Sequence, residues 1–525
     1  MKKGVSLATP AGPIALTLRG GPIDKSRIPP RHIPTVPSIL DKAVNLLRKR
    51  VMPGYTLGQF LILSNYTYVM LYGAFRMSNP FTDGVRPGWL AVSQLPLVFA
   101  LAQKGNVLGS MLGFGYETLN YVHRYIGRVV VLASNIHSLY YIYQWTAAGT
   151  FLARIATPKF GAGFAFLLAM DVMFFFSLEY FRRKMYQVFY WSHAIGTVAI
   201  IVTGSLHFPA LLPWMVICAV LYGLDRLLRA FKSSVAVATL THLPQMDMAY
   251  IEVPTIRSGW RAGQHVRLRV LTTGMGLLGW TESHPFTIAS ASGANDGLVL
   301  LCKKAGDWTS KLVNLAKELD TRGGEGQGRV RVWVEGPFGG SRVVFNSFSA
   351  AVLVVGGSGI TYGLSMMEDL LVKDRKNESR LRYLELVWLV QDPASVTPLL
   401  PLFQSLVQQT NYTMLKITVN YTRALTEKTP IFGGYEAVPC APMAITHPNL
   451  TLSPGRPNIK NILSSAINTA IEYNAGIGAG DPLGLSGLAV GICGPQSLGD
   501  SVMGAIGGIG SAERAKVGGI EVHEE

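Results

Sequence analysis

The sequence predicts a multi-domain membrane protein: a six-span helical bundle, then a small antiparallel β-barrel, then an α/β nucleotide-binding domain. Three observations predict it. Apolar residues concentrate between about Tyr55 and Leu228. After Lys232 the pattern shifts to short strand-like runs separated by polar or Gly-rich turns. From about Phe348 it becomes strand–turn–helix, repeated. Charged residues make up 15% of the 525-residue chain and hydrophobic ones 49%, where soluble proteins carry about 25% charged residues. The expected divisions are a basic tail (1–52), a transmembrane domain (53–230), a small β-barrel (231–345) and a nucleotide domain (346–525).

The first 50 residues are basic, rich in Pro and short of carboxylates, with no apolar run of signal-peptide quality. They read as a disordered cytosolic tail, a transit peptide being the alternative. The six spans are expected at about 55–75, 87–103, 118–145, 161–181, 186–207 and 209–228, each near the roughly 20 residues that cross a bilayer. Basic clusters at Lys42–Arg50, Arg182-Arg183-Lys184 and Arg226–Lys232 fall on one side of an even number of spans, taken as cytosolic. The opposing loops still carry Arg76, Arg86, Arg154 and Lys159. The net charge of +16 is therefore assigned to topology and not to nucleic acid, for which no motif is present.

Four histidines carry the chemistry of this half. His123 and His137 lie in the third span, His193 and His207 in the fifth, each pair 14 residues apart. Fourteen helical residues rise about 21 Å and return to within roughly 40° of the same face. Spans three and five run in the same direction, so equal depths pair His123 with His193 on the inner side and His137 with His207 on the outer. Imidazole is a strong axial ligand of haem iron, so two haems stacked across the membrane are expected. Gly127, Gly196 and Gly204 lie within a turn of the ligands, where a flat porphyrin needs close approach. Arg124 and Arg128 sit beside the inner histidine, and haem carboxylates are natural partners for charges inside a span. Asp171 is either a proton or ion group or a hydrogen-bonded structural residue.

The four cysteines (Cys218, Cys302, Cys440, Cys493) are widely spaced and suggest neither a disulfide framework nor zinc. In the soluble half, Val266–Leu271, Gly297–Cys302 and Val330–Val334 read as barrel strands. Ala351–Val355, Leu384–Val390, Lys416–Tyr421 and Gly487–Ile492 read as parallel core strands, Ser365–Lys373 as a helix, and Leu425–Pro454 as a long loop. The Gly356-Gly357-Ser358-Gly359-Ile360-Thr361 turn after the first core strand lets backbone N–H groups approach a pyrophosphate at a helix N-terminus.

The run His284-Pro285-Phe286-Thr287-Ile288-Ala289-Ser290 resembles the flavin signature of the ferric reductase and NADPH oxidase superfamily, whose soluble half is similar to ferredoxin–NADP reductase. Trp260–His265 resembles the element before it. Lys304-Ala305-Gly306-Asp307-Trp308-Thr309 resembles the segment that helps bind the flavin pyrophosphate. Glu335–Gly339 resembles the turn closing the flavin domain. The resemblance makes the Gly-rich turn the pyridine-nucleotide loop, Gly455-Arg456-Pro457 the element meeting the nucleotide phosphate, and Cys493-Gly494-Pro495 the element beside the nicotinamide. Arg423 is a second candidate for the 2′-phosphate, or an exposed structural arginine. His123–Arg128 resembles H-R-x-x-G-R, and Arg183, Tyr186, Phe189 and His193 follow a second membrane pattern of the family. The resemblance spans about residues 55–525 and leans to fungal ferric reductases.

What the resemblance implies is an integral membrane oxidoreductase, expected in the plasma membrane with its soluble half cytosolic. NADPH would reduce FAD there, and electrons would cross through two b-type haems to ferric or cupric ion, free or chelated. Cys493 and Thr287 would work at the hydride-transfer site. A superoxide-generating NADPH oxidase is the alternative, and a redox-silent membrane scaffold a third reading. The acceptor and any iron-uptake partner stay open. Three departures stand out: Gln187 replaces the usual glutamate, Gln391 replaces a frequent arginine, and Val522-His523-Glu524-Glu525 stands where the family carries an aromatic tail.

Overall fold

The computed structural model describes residues 26–34, 40–52, 54–105, 115–276, 278–322, 328–423, 447–475 and 484–525. Among these, six long helices form the membrane bundle: Leu57–Phe75, Val85–Ala102, Tyr116–Ala147, Pro158–Phe176, Tyr186–His207 and Leu212–Phe231. They are called the first to sixth membrane helices below. By length and composition the second, fourth, fifth and sixth can cross a membrane. The first and third are long enough but carry more polar residues, among them Asn65 and Thr67 in the first and Arg124, Arg128 and Asn135 in the third.

The local sequence sets each helix end. Thr56 caps the first helix and Gln59 returns the bond, so the two side chains satisfy each other's backbone N–H groups. Pro158 opens the fourth, where its missing N–H costs nothing. That helix ends at Phe176, five residues before the C-terminal limit expected from hydropathy. A separate turn, Glu179–Lys184, follows and carries the basic cluster. The sixth helix begins only after a 3-10 turn at Pro209–Leu211.

A short antiparallel hairpin, β1 at Arg50–Met52 and β2 at Tyr55–Thr56, precedes the first membrane helix. The barrel sheet has the order β6-β5-β8-β3-β4-β7, with β3 at Ser233–Leu243, β4 at Met248–Val253, β5 at Gln264–Val270, β6 at His284–Thr287, β7 at Leu298–Lys303 and β8 at Gly328–Gly339. Every strand pair in it is antiparallel. The nucleotide domain is a parallel sheet of order β12-β11-β10-β9-β13-β14, with β9 at Ala350–Gly356, β10 at Tyr383–Val390, β11 at Met414–Tyr421, β12 at Leu450–Pro454, β13 at Leu488–Cys493 and β14 at Ile520–Glu524. Val352, Leu353 and Val354 on its central strand are fully buried, and each such side chain contributes roughly 1.5–3 kcal/mol.

Two strands of the parallel sheet escape the sequence reading. β12 pairs in parallel with β11 within the stretch expected to be a loop; the part of that stretch up to residue 446, with Cys440, lies outside the described residues. β14 adds an edge strand beside β13. The N-terminal segment also departs from the expected free tail. His32 stacks on Phe348 with ring centres 4.1 Å apart, and Arg380 donates to the Pro29 carbonyl at 2.7 Å. Arg50 pairs with Asp500 at 2.6 Å and Glu524 at 3.1 Å. Arg50 finds carboxylates on the nucleotide domain and the Pro29 carbonyl accepts from Arg380 of that domain, so at least these residues are docked.

Candidate functional site

The third and fifth membrane helices bring the histidines together in the expected pairs. The His123 and His193 ring centres lie 6.3 Å apart at 65°. An imidazole nitrogen binds a metal at about 2 Å and the ring centre lies about 1 Å behind it, so two rings across one ion sit about 6 Å apart. His137 and His207 line one cavity of about 460 Å³.

All four rings are oriented by their second nitrogen. His123 Nδ1 meets the Val98 carbonyl at 3.0 Å and His137 Nδ1 the Gly84 carbonyl at 2.6 Å. His193 Nδ1 meets Ser177 Oγ at 3.2 Å and His207 Nδ1 the Lys159 carbonyl at 3.0 Å. Val98 lies in the second membrane helix and Gly84 just before it; Ser177 caps the fourth helix and Lys159 lies in its first turn. The second helix thus orients both histidines of the third, and the fourth orients both histidines of the fifth. Among the described residues none hydrogen-bonds to Nε2 of any of the four. Fixing one ring nitrogen frees the other as a ligand of defined direction.

The glycines that make room are not all those expected. A Cβ on Gly88 would sit 2.7 Å from His137 Nδ1, and one on Gly163 would strike the His207 ring. Sequence reading missed both, because neither shares a helix with the ring it admits. Gly127 faces open space, as expected beside a cofactor. Gly196 and Gly204 instead admit Met173 and Met215 from neighbouring helices, so they serve helix packing. Asp171 accepts from Asn135 at 2.8 Å, the structural option of its two readings.

Among the described residues, Arg124 Nε is buried without a partner, as is Arg182 Nε. Burial, with the Arg124 and Arg128 guanidiniums nearby, holds Arg182 below its ordinary pKa. Glu179, the nearby carboxylate, pairs with Arg183 at 2.7 Å. Three guanidiniums gathered in this way fit an anionic group with more than one carboxylate, which is what a porphyrin carries. The ligand set, the free Nε2 atoms and this cationic cluster therefore fit haem.

In the soluble half a cavity of about 920 Å³ gathers motifs from distant parts of the chain. His284, Pro285, Phe286, Thr287 and Thr309 face it from the barrel. Gly356, Gly357, Ser358, Gly359, Thr361, Arg423, Arg456, Pro457, Cys493, Gly494 and Pro495 face it from the nucleotide domain. The sheet explains the convergence: β13 lies beside β9 with Cys493 opposite Val355, so Cys493 and the Gly-rich loop leave neighbouring strand ends. Arg423 and Arg456 follow β11 and β12, whose ends Tyr421 and Pro454 are in register. The crevice at the carboxyl ends, where strand order reverses, is where such sheets bind ligands. Gly357 has φ +54°, and a Cβ on Gly359 would strike the Cys493 carbonyl. Trp388 donates to the Gly357 carbonyl at 3.0 Å and fixes the loop, a role with no motif to announce it. Burial, with the Glu525 carboxylate, pushes the Cys493 thiol up to about 12.

Several motif residues do not face the cavity. Ile288 and Ile360 are fully buried core. Ser290 Oγ donates to the Gly297 carbonyl at 2.8 Å and accepts from Val299 N at 3.1 Å, so it braces the strand. Trp308 is buried, donates to the Gly279 carbonyl at 2.9 Å and stacks behind His284 at 4.4 Å. Lys304 points to Asp247 at 4.0 Å, and Lys303 lines the cavity in its stead. Gly306 shapes the turn by donating to Thr309 Oγ1 at 2.9 Å. Alternation along strands and helix periodicity send Ile288, Ser290, Trp308 and Ile360 inward.

The two sites meet at a junction the sequence did not reveal. His265, opposite Thr287 on the flavin strand, places Nε2 3.4 Å from Glu117 Oε1 at the start of the third membrane helix. The Tyr116 ring lies edge-on to His265 and Phe338 at 6.1 and 6.4 Å. Arg229, in the sixth helix, forms a bidentate pair with Glu335 of the barrel. Burial pushes the Glu335 carboxyl up, but Arg229, Lys104 and Arg267 together bring it below its ordinary value. The helix bearing His123 and His137 thereby meets β5, the strand paired with the Thr287-bearing β6.

Comparison with known proteins matches this architecture in order. Residues 87–204 match the model of the ferric reductase like transmembrane component, 232–342 an FAD-binding domain and 348–505 the ferric reductase NAD binding domain. The chain is 24% identical to ferric reductase transmembrane component 6 of Saccharomyces cerevisiae, over 88% of this chain and 63% of that protein. It is 26% identical to a probable cell surface ferric reductase of Aspergillus oryzae, over 65% and 48%, and 26% identical to dual oxidase 2 of Homo sapiens, over 51% and 17%. It thus spans less than two thirds of the length of each of these relatives. With a transmembrane component, an FAD-binding domain and an NAD-binding domain in this succession, the chain belongs to the ferric reductase and NADPH oxidase superfamily.

Proposed function

We propose that this protein is an NADPH-dependent ferric-chelate reductase. It takes reducing equivalents from NADPH on the cytosolic side of the plasma membrane and delivers them to ferric, or cupric, ion on the other side. The observation that carries the reading is the junction. The barrel that lines the soluble cavity is joined, through His265, to Tyr116 and Glu117 of the helix that presents two of the four paired histidines.

Arg456 and Arg423 meet the 2′-phosphate of NADPH, and the N–H groups of Gly356–Gly359 and the following helix N-terminus take its pyrophosphate. Cys493 stands beside the nicotinamide as a neutral thiol, since its pKa is pushed far above physiological pH. Thr287 hydrogen-bonds the edge of the flavin ring. His123 with His193, and His137 with His207, hold one b-type haem each, and Arg124 and Arg128 pair with haem carboxylates. When bound, FAD turns hydride into single electrons, and haem carries them one at a time.

The experiment is reconstitution of the full chain in vesicles with NADPH on one side and a ferric chelate on the other. Reduction insensitive to superoxide dismutase supports the reading. A second reading, a superoxide-generating oxidase, is favoured by the similarity to dual oxidase 2. Dismutase-sensitive dye reduction without iron reduction would establish that one instead.

A further inference from the structure

The barrel turns one face of its sheet toward the bundle. On β8, Glu335 pairs with Arg229 near the end of the sixth membrane helix. Four residues on, Gly339 lies beside Glu117 at the start of the third. Both helix ends lie on the side of the soluble domains, so this stretch of β8 runs across the underside of the bundle. Side chains two apart on a strand share a face, so Trp333, Arg331 and Arg329 continue the face that carries Glu335. All three are exposed. At about 3.4 Å per residue Arg331 lies about 14 Å from Glu335, beyond the roughly 5–6 Å radius of a helix with its side chains. The face therefore runs out from beneath the sixth helix. Phe231, the last residue of that helix, is exposed as well.

The strands on either side extend it. β3 places Val235 opposite Trp333 and Val237 opposite Arg331, exposed at 62% and 47%. β5 places Arg269 opposite Trp333, its guanidinium carbon 5.4 Å from the Trp333 ring centre. Among the described residues, Arg269 Nε is buried without a partner, and no ion pair engages Arg269, Arg329 or Arg331. No carboxylate stands at these outward positions. Glu335, where the face meets the bundle, is taken up by Arg229. In water, an exposed tryptophan beside two exposed valines is a cost, and three neighbouring cations repel one another. A tryptophan and apolar residues flanked by arginines, next to a membrane helix, is instead the composition of a membrane–water interface.

We propose that this face of the barrel rests on the adjoining lipid leaflet and binds anionic headgroups there. Trp333, Val235 and Val237 enter the headgroup boundary, and Arg269, Arg329 and Arg331 meet lipid phosphates and carboxylates. Continuity with the bundle favours lipid over an acidic protein, which would have to wedge between barrel and membrane. The contact gives the Arg229–Glu335 junction a second support, made by lipid, that holds the barrel under the histidine-bearing helices. It requires that the bundle span a membrane and is independent of the acceptor that the chain reduces.

The test is photo-crosslinking of the full chain, loaded with haem and flavin, with Val237 replaced by p-benzoylphenylalanine. One sample is held in discs of phosphatidylcholine alone, the other in discs with about 30% phosphatidylserine. Mass spectrometry of the digested chain reads what the probe has captured. A lipid adduct is expected in the phosphatidylserine discs, at least about fivefold more abundant than in phosphatidylcholine alone. One arginine near a charged leaflet is worth about fivefold in such a contact, so Arg331→Gln and Arg329→Gln should each cut the adduct by about that factor. Added salt should weaken it in the same direction. Haem and flavin spectra and flavin reduction by NADPH should be unchanged in both variants. The comparison of the two lipids keeps all three arginines, so it decides the matter even if a variant fails to fold. Equal adducts in the two lipids, capture of a peptide of this chain, or no capture would overturn the proposal. In isolated cell membranes, capture of a second polypeptide in place of lipid would overturn it too, by assigning the face to a protein. Failure of the chain to reduce any ferric acceptor would refute the reductase reading and leave the adduct result standing.

Discussion

The membrane and soluble halves use their apolar residues in opposite ways. In the bundle, large apolar side chains point outward: Leu132 is 61% exposed, Ile195 65% and Leu206 66%. In the nucleotide domain the same residue types are sealed inside β9 and β13. Lipid solvates apolar side chains as well as a protein core does, so the bundle interior, which keeps an apolar cluster around Ile126, Phe166 and Met215, also has room for small and polar groups. That is where the histidines, Gly88, Gly163 and Ser177 lie. The soluble half must spend its interior on burial, and its chemistry sits at strand ends and turns. The difference teaches where each half is vulnerable: the bundle at positions that shape and orient rings, the soluble half at positions that line one crevice.

If the halves do separate jobs, damage to one must spare the other. The largest effect is expected from His137→Ala. External iron reduction should fall by at least about 100-fold, since loss of a ligand exceeds the loss of its supporting bond, while stopped-flow reduction of flavin by NADPH is unchanged. Flavin reduction falling in step would erase the division. Next, Cys493→Ala should slow flavin reduction by about 10- to 100-fold through misplacement of the nicotinamide, leaving the haem spectrum as it was. Equal flavin reduction rates would remove Cys493 from the site.

Gly163→Ala sharpens the comparison inside the bundle. The new methyl displaces the His207 ring from the Lys159 carbonyl, and outward electron delivery should fall by about tenfold. The same change at Gly504, which faces open space, should leave the rate alone; matching losses would show that His207 orientation is not what Gly163 protects. Arg456→Gln should raise KM for NADPH by about tenfold, as expected on losing a charge-assisted hydrogen bond, and leave KM for NADH nearly untouched. Equal rises for both nucleotides would detach Arg456 from the 2′-phosphate. The smallest effect concerns pH. With the Cys493 thiol pushed up to about 12, the thiolate appears only above that region. Flavin reduction should therefore show no thiol titration between about pH 6 and 10, and iodoacetamide should react with Cys493 far more slowly than with a free thiol. A titration near the ordinary thiol pKa would contradict the buried placement.

Much of the plan was legible because it rests on residue identity at fixed spacing. Histidines 14 residues apart, the change of period after Lys232 and the Gly-rich turn after β9 can all be read along one chain. What stayed hidden depends on residues distant in sequence. Val98, Gly84, Ser177 and Lys159 orient the rings from other helices, three of them through backbone carbonyls that any residue type supplies. The His265–Glu117 and Arg229–Glu335 contacts join domains more than 100 residues apart. Motif reading also over-reached at Ile288, Ser290, Trp308, Ile360 and Lys304. It assigns a whole run to a ligand, whereas a strand shows alternate residues to each face. β12 was missed because it spans only five residues, Leu450–Pro454, after a Pro- and Thr-rich stretch.

The most direct measurement is haem stoichiometry. The purified haem-loaded chain should hold two b-type haems with the low-spin spectrum of paired imidazoles, and His123→Ala and His137→Ala should each lose one and keep the other. A wild-type chain without haem, or variants that both retain two, would contradict the assignment of these rings to metal.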